Sequence, residues 1–304
     1  MKSQRKNVTA SVHQRLLNLS RQRGIAFNRL MLLFAIERLL YRLSISDYAD
    51  RFVLKDAILF MIWSESDFRP TRDLDLLGFG DSSNEALLSI FQHLCQQQVI
   101  DDGLTYEPQS VHVSAILVDQ EYQGQRIELM GRLGSARIPL QIDVGFGDVI
   151  WPPPIAAEYP TLLDFPSPQV RIYSRESVIA EKFHAMVTLD LTNSRMKDFY
   201  DIWTLLHQFT FDGVLLTQAI DSTFGQRGTP LPIEAPLALT TAFSENPMKV
   251  TQWQAFLRRN QLEVGGASFT EVVAAIARFL LPPMQALATA TPFTASWSVE
   301  TGWR

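Results

Sequence analysis

The stretch RPTRDLDLLGFGD, residues 69–81, decides how the first half of this chain is interpreted. Asp73 and Asp75 alternate with Leu74 and Leu76, which is typical of a β-strand with one polar and one buried face. Residues i and i+2 of a strand point to the same side of a sheet, so the two carboxylates are expected to lie side by side. Two acids this close repel each other unless a cation lies between them.

A divalent metal ion is one explanation for the acid pair. Mg²⁺ prefers oxygen ligands and commonly shares its coordination between one or two carboxylates and substrate phosphates. Segment 136–148, ARIPLQIDVGFGD, supplies a third acid, Asp143, among alternating apolar residues. If the two strands are neighbours, Asp143 is expected to complete a metal site for phosphoryl transfer. The ordinary alternative is that the acids are exposed, or are paired with Arg69 and Arg72.

Composition limits the class of protein. The chain has 304 residues, of which 46% are hydrophobic and 19% charged, so it is globular and long enough for two domains. A net charge of −5 excludes a uniformly basic nucleic-acid coat but leaves room for a basic patch. The single cysteine, Cys95, cannot form an internal disulfide, which favours a reducing compartment. We find no signal-peptide pattern, and charges interrupt the apolar segment 25–43, so a cytoplasmic protein without a membrane segment is expected.

The order of patterns predicts an α+β fold. Segments 111–119 and 125–134 alternate like the two acid-bearing segments and predict an antiparallel or mixed sheet with flanking helices. The proline-dense segment 151–168 is typical of a linker, and the sequence after it is almost wholly helical in pattern. We therefore expect a core domain at 1–165 and a mainly helical lobe at 166–304.

The helical half contains a second group of charged residues. Lys182 lies in an apolar helix, where it is expected either to extend its amine to solvent or to face a cleft and neutralise phosphate. Asp198 and Asp201 share one helix face, and Asp198 is a candidate to hold Lys182. The alternative for these acids is stabilisation of a helix start. His184 has no histidine at ligand spacing, so a structural hydrogen bond is expected for it.

Three segments in this order, 54–81, 136–148 and 178–206, together resemble the AbiEii/AbiGii-type nucleotidyltransferase toxins, the MenT-like group. The resemblance covers roughly residues 20–280. It implies a DNA polymerase β-like nucleotidyltransferase fold, with the helical lobe completing the active-site cleft. It also implies toxin–antitoxin or phage-defence biology with a cognate antitoxin.

The resemblance assigns roles to individual residues. Asp73 and Asp75 match the family's acid pair and are expected to bind Mg²⁺ and the nucleoside triphosphate. Asp143, proposed from its strand position and not from the resemblance, is expected to be the third metal ligand or to activate the acceptor hydroxyl. Lys182 and Asp198 match an essential lysine and acid, so these two residues and the acid pair are the predicted catalytic residues. The other residues expected to contact nucleotide are Lys55, Arg69, Thr71, Arg195 and Lys197.

The implied activity is transfer of a nucleoside monophosphate from a nucleoside triphosphate to an RNA, typically the 3′ end of tRNA, which blocks translation. Many relatives carry glycine after the lysine that Lys55 matches, whereas this chain has Asp56. Glycine lets a backbone approach phosphate closely, and Asp56 adds bulk and negative charge. Two alternatives therefore stay open: a catalytically weakened relative that binds nucleotide and acts through a protein partner, and a nucleotidyltransferase that modifies protein.

Overall fold

The computed structural model describes residues 7–64, 73–119 and 122–304. Two compact units are found within it. The sheet unit comprises Met1–Gly147 and Ile155–Ile172, and the helical unit comprises Asp148–Pro154 and Tyr173–Arg304.

The segment up to Ile172 supplies strands to the sheet, whereas Asp148–Pro154 belongs to the helical unit. The domain bounds expected from the sequence, 1–165 and 166–304, stay predictions. The assignment of a catalytic core and a cleft-completing lobe to these parts of the chain stays a prediction.

The described part of the sheet unit contains helices and one mixed sheet. Its helices are α1 (Val8–Arg23), α2 (Phe27–Ser44), α3 (Phe60–Trp63) and α4 (Asn84–Gln96). Its strands are β1 (Phe52–Lys55), β2 (Asp73–Gly78), β3 (Leu104–Asp119), β4 (Tyr122–Leu133), β5 (Ala136–Phe146), β6 (Ile155–Glu158) and β7 (Gln169–Ile172). The strand order among the described residues is β3-β4-β5-β2-β1-β7-β6. The pairs β2/β5 and β1/β7 are parallel and the others antiparallel, which confirms the predicted α+β fold with a mixed sheet.

Strand β6 corrects one expectation. The prolines of segment 151–168 predict a linker, yet Ile155–Glu158 pairs with β7 at the edge of the sheet. An edge strand tolerates flanking prolines, and most of this one is exposed, so its sequence has no apolar alternation to reveal it.

The end of β2 packs closely against β5. A Cβ atom added to Gly78 would lie 2.6 Å from the Phe146 ring and 2.8 Å from a Val144 methyl carbon. Only glycine therefore fits where these two parallel strands run together. This close packing fixes the strand that carries the acid pair.

The described part of the helical unit is built from helices and a small sheet. The helices are α5 (Arg175–Leu189), α6 (Met196–Gln208), α7 (Gly213–Gln226), α8 (Thr241–Ser244), α9 (Pro247–Asn260) and α10 (Phe269–Ala288). The strands β8 (Phe211–Asp212), β9 (Ser296–Ser298) and β10 (Gly302–Trp303) form an antiparallel sheet. Trp297 donates a 2.9 Å hydrogen bond to the Leu206 carbonyl, and the Trp303 ring stacks on Phe279, so the C-terminal segment docks through its two tryptophans.

Helix α10 meets the length and mean-hydropathy criteria for a membrane span, and it is the one helix among the described residues to do so. Its buried residues, which include Phe279 and Leu280, pack against α6 and α7 within the helical unit. A buried core helix has the same length and composition, so this feature is weak evidence for a membrane segment.

Candidate active site

The acid pair lies at the start of β2. Asp73 and Asp75 are half-buried on one face of the strand, whereas Leu74 and Leu76 are buried on the other. The strand and the shared face of the two acids were both predicted from their spacing. Lys55, the last residue of β1, pairs directly with Asp75, so its side chain belongs to the same face of the sheet.

Strand β5 brings the third predicted acid to the pair. It runs parallel to β2, with Asp143 in register with Asp75 and Gln141 in register with Asp73. On the other side of β5, Arg126 of β4 pairs with Asp143. We call the residues Lys55, Asp75, Asp143 and Arg126, which are in register across β1, β2, β5 and β4, the charged row.

Arg126 binds both oxygens of Asp143. Its Nε lies 2.8 Å from Asp143 Oδ1 and its Nη2 lies 2.7 Å from Oδ2, a bidentate arrangement. The Asp143 side chain is 17% exposed and that of Arg126 is 35% exposed. The hydrogen bonds that Arg126 donates to Asp143 raise the pKa of Arg126, and the negative charge of Asp73 contributes in the same direction. Arg126 is thus bonded to the third acid, and the charge of Asp73 adds to the stabilisation of its guanidinium.

Arg126 is absent from the residues predicted from the sequence, although a signal for it exists. Leu133 pairs with Ala136, so Gly134 and Ser135 form a two-residue hairpin loop, and Gly134 has a φ of +63°. Such a loop fixes the register of both strands. Counting paired residues back along β4 and forward along β5 from this loop places Arg126 opposite Asp143.

The acidic side chains near the start of β2 are the candidate ligands for the predicted Mg²⁺. In the part of the chain that the structure describes, no cluster of three His, Cys, Asp or Glu side chains is arranged to hold a metal ion. Asp73 and Asp75 nevertheless offer carboxylates on one face, and Mg²⁺ is usually held by one or two carboxylates together with substrate oxygens. The pair therefore fits a hard divalent cation. The predicted third ligand, Asp143, is engaged by Arg126 instead, and its role as a ligand stays a prediction.

The residue after Lys55 has an unusual backbone conformation. Asp56 has a φ of +60°, in the left-handed region that favours glycine. Glycine adopts this conformation without steric cost, whereas Asp56 carries a side chain into it.

Two predicted nucleotide-binding residues, Arg69 and Thr71, lie outside the described residues, as does Arg72. Their predicted contacts with nucleotide stay predictions.

Lys182 is at the centre of a buried ion-pair network in the helical unit. Its Nζ lies 3.1 Å from Asp198 Oδ1 and 2.9 Å from Asp201 Oδ2. Lys182 is 4% exposed, and both acids are fully buried. Arg195, at the N-cap of α6, places its Nε 2.7 Å from Asp198 Oδ2. The predicted contact between Lys182 and Asp198 is therefore present, and the lysine amine is held inside the unit.

The position of Asp198 also fits the alternative interpretation, because it lies in the first turn of α6, where an acid is favoured by the helix dipole. Arg195 and Lys197 are half-buried, so both are partly accessible to solvent. The catalytic and nucleotide-binding roles of these residues stay predictions.

A buried lysine not singled out in the sequence supports the start of α6. Lys249 is 2% exposed and donates a 2.7 Å hydrogen bond from Nζ to the Asn193 carbonyl. Burial lowers the pKa of Lys249, and its Nζ lies 5.1 Å from the centre of the Phe243 ring. The side chain of Asn193 in turn accepts a 2.8 Å hydrogen bond from the Arg195 backbone. Lys249 thereby holds the segment that sets the position of Arg195.

His184 makes the structural hydrogen bonds that were expected of it. Its Nε2 lies 2.8 Å from Thr229 Oγ1, and Arg227 donates to its Nδ1 at 3.2 Å. Burial, and after it the Arg227 charge, lower the pKa of His184 to about 4. Arg227 also forms a 2.9 Å ion pair with Asp148. His184 is thus a neutral imidazole near pH 7, with Nδ1 as the acceptor.

Comparison with known proteins identifies the class of protein. A sequence profile described as "Nucleotidyl transferase AbiEii toxin, Type IV TA system" matches residues 38–275, which is more than half of the chain. The class defined by this match is that of nucleotidyltransferase toxins of type IV toxin–antitoxin systems. The chain belongs to the AbiEii family of these toxins, and the resemblance read from its motifs is confirmed. Membership implies a nucleoside triphosphate substrate and an antitoxin partner, and nucleotidyltransferases of this superfamily generally use a divalent metal.

Solved structures with a similar chain path include two bacterial proteins. MenT4, a nucleotidyltransferase toxin from Mycobacterium tuberculosis, is 17% identical with a TM-score of 0.48, and the match covers 93% of this chain and 99% of that one. JHP933 from Helicobacter pylori is 12% identical with a TM-score of 0.44, covering 83% of this chain and 87% of that one. A search of curated protein sequences gave no match.

Proposed function

We propose that this toxin transfers a nucleoside monophosphate from a nucleoside triphosphate to the 3′ end of an RNA, and that this RNA is tRNA. The transfer uses Mg²⁺ and blocks translation as part of a toxin–antitoxin or phage-defence system. The observation that carries the proposal is the same-face pair Asp73 and Asp75, with Asp143 in register on the neighbouring strand.

The reaction is an in-line displacement. The 3′ hydroxyl oxygen of the acceptor bonds to the α-phosphorus, and the bond from that phosphorus to the pyrophosphate leaving group breaks. Asp73 and Asp75 would hold the divalent ion, which neutralises charge on the phosphates when bound. Lys55, next to Asp75 in the charged row, contributes positive charge toward the triphosphate. Asp143, whose two oxygens are bound by Arg126, is proposed either to accept the hydroxyl proton or to join the metal ligands in exchange for that contact, with solvent then accepting the proton.

The helical unit is proposed to contribute phosphate contacts. Lys182 and Asp198 keep the roles implied by the family resemblance, and their burial supports action through Arg195, which Asp198 holds. The Arg195 side chain is 29% exposed, so part of it is accessible to solvent, and a guanidinium group suits phosphate recognition. Lys197 is half-buried and is the second accessible cation of this segment.

The charge distribution supports a nucleic-acid acceptor. The first 36 residues carry seven Lys or Arg and no Asp or Glu, whereas the rest of the chain holds 20 basic and all 32 acidic residues. Arg15, Arg21 and Arg23 of α1 are exposed. A basic N-terminal segment without acids, in an otherwise acidic chain, is the charge pattern expected for binding a phosphate backbone.

The acceptor is tested with α-labelled nucleoside triphosphates. The protein is incubated with each of the four, Mg²⁺ and total RNA, and the products are separated on a denaturing gel. We expect one triphosphate to label RNA of tRNA size, and periodate oxidation of the RNA 3′ end to remove the signal. Label in protein would contradict the RNA acceptor and favour a protein-modifying enzyme.

Asp56 favours a second candidate function, a nucleotide-binding relative with weakened catalysis that acts through a protein partner. Asp56 follows Lys55 and has a negative side chain and a left-handed backbone conformation. The family resemblance implies glycine at this position. A thermal shift with nucleotide and Mg²⁺, without any labelled product, would support this candidate.

Substitution of Asp56 is expected to tighten nucleotide binding. Asp56→Gly removes a carboxylate from the proposed triphosphate site and suits the φ of +60°. Affinity for a non-hydrolysable triphosphate is expected to rise about fivefold, roughly 1 kcal/mol, by calorimetry. Asp56→Asn is the matched control, because asparagine tolerates the same backbone conformation and removes only the charge. Unchanged affinity in both variants would place Asp56 away from the triphosphate.

A further inference from the structure

We propose that Arg126 is a built-in counter-cation of the acid site, which binds Asp143 when no divalent ion is present and competes with that ion for Asp143. The inference rests on the metal site of the proposed function and deepens it. It names a positioning residue that lies outside the motifs carrying the family resemblance.

Arg126 occupies both oxygens of the Asp143 carboxylate. Both carboxylate oxygens accept charge-assisted hydrogen bonds, at 2.8 Å and 2.7 Å. A divalent ion on either oxygen would lie within a few ångströms of the guanidinium. Two cations at this separation repel each other strongly in a partly buried site. Occupation of Asp143 by the ion and by Arg126 is therefore mutually unfavourable.

The second feature is the charge balance of the sheet face. Asp75 and Asp143 are directly in register, and Asp73 is on the same face two residues away. Three carboxylates on neighbouring positions destabilise the fold unless cations balance them. Arg126 forms its ion pair with Asp143, next to Asp75 in the charged row, so it places a positive charge beside these carboxylates. Arginine suits this task because it stays protonated and fits a carboxylate with two parallel donors.

The consequence is an exchange between two cations. Without a divalent ion, Arg126 holds Asp143 and stabilises the charged row. With the ion bound by Asp73 and Asp75, attraction between the ion and Asp143 opposes the Arg126 contact. Removal of the guanidinium therefore removes a competitor, and divalent binding becomes tighter.

The test measures Mn²⁺ binding without nucleotide, by calorimetry and by the Mn²⁺ electron paramagnetic resonance signal. Arg126→Gln is expected to bind Mn²⁺ about tenfold more tightly than the wild-type protein. In an Asp143→Asn background the same substitution is expected to have a much smaller effect, because the contested carboxylate is gone and only the longer-range charge of Arg126 remains. Equal or weaker binding by Arg126→Gln, or a gain of the same size in the Asp143→Asn background, would overturn the proposal.

Arg132→Gln is the matched control. Arg132 lies on the same strand as Arg126 but forms an ion pair with Glu107, outside the charged row. Its replacement by glutamine changes the net charge of the protein by the same amount as Arg126→Gln. Its Mn²⁺ affinity is expected to equal that of the wild-type protein, and a gain equal to that of Arg126→Gln would overturn the proposal by showing a net-charge effect. If Arg126→Gln does not fold, Arg126→Lys keeps the charge without the bidentate fit and is expected to show a smaller gain.

The Asp73→Asn variant separates this inference from the proposed function. If Asp73→Asn loses Mn²⁺ binding but Arg126→Gln binds Mn²⁺ like the wild-type protein, the metal site is supported and only the proposed role of Arg126 is contradicted. Absence of Mn²⁺ binding in the wild-type protein and in Arg126→Gln would contradict the proposed metal site and, with it, this inference.

Discussion

Asp73→Asn is expected to abolish nucleotide transfer, lowering kcat by on the order of 10³-fold, or about 4 kcal/mol of transition-state stabilisation. The substitution removes the charge of one member of the same-face acid pair and keeps the shape of the side chain. Asp73 is only half-buried at the start of β2, so the fold is expected to be retained. The rate of label transfer reports the activity, and far-UV circular dichroism reports the fold.

Glu158→Gln is the matched control for this experiment. Glu158 is an exposed acid on β6 of the same sheet, at the far edge from β3, so its neutralisation is expected to leave the transfer rate unchanged. Transfer by Asp73→Asn at the wild-type rate would show that the acid pair is not the catalytic centre.

Lys182→Met is expected to lower the free energy of unfolding by about 3–5 kcal/mol, because it leaves Asp198 and Asp201 buried without their cation. Nucleotide transfer is expected to be lost as well. Urea unfolding followed by circular dichroism measures the change in stability. A loss below about 1 kcal/mol would show that the buried network does not depend on Lys182.

A triple variant separates stability from activity. Lys182→Met combined with Asp198→Asn and Asp201→Asn removes the buried charges together, and such replacements are often neutral for stability. We expect the triple variant to recover most of the lost stability and to remain inactive. If nucleotide transfer recovers together with stability, Lys182 and Asp198 have only a structural role.

Local patterns in the sequence predict the strands and helices well, because they depend on neighbouring residues. The alternation around Asp73 and Asp75 is sufficient to predict a strand and the shared face of the two acids. The position of Asp143 could be predicted only on the condition that its strand lies next to β2. That condition depends on the strand order of the sheet, which alternation does not specify.

Contacts between distant segments explain the residues that were missed. The pairing of Arg126 with Asp143 follows from the two-residue hairpin loop at Gly134, a signal that is present but is read only by counting the register. The contact of Lys249 with Asn193 depends on packing between α9 and the segment before α6, which no spacing rule predicts. Strand β6 lacks alternation because it is a mostly exposed edge strand.

The most direct test of the central claim is the position of a divalent ion. Crystals grown with Mn²⁺ and a non-hydrolysable nucleoside triphosphate give an anomalous peak wherever Mn²⁺ binds. We expect a peak about 2.1 Å from oxygens of both Asp73 and Asp75, with triphosphate oxygens completing the coordination. A bound triphosphate whose Mn²⁺ peak lies away from this acid pair would contradict it.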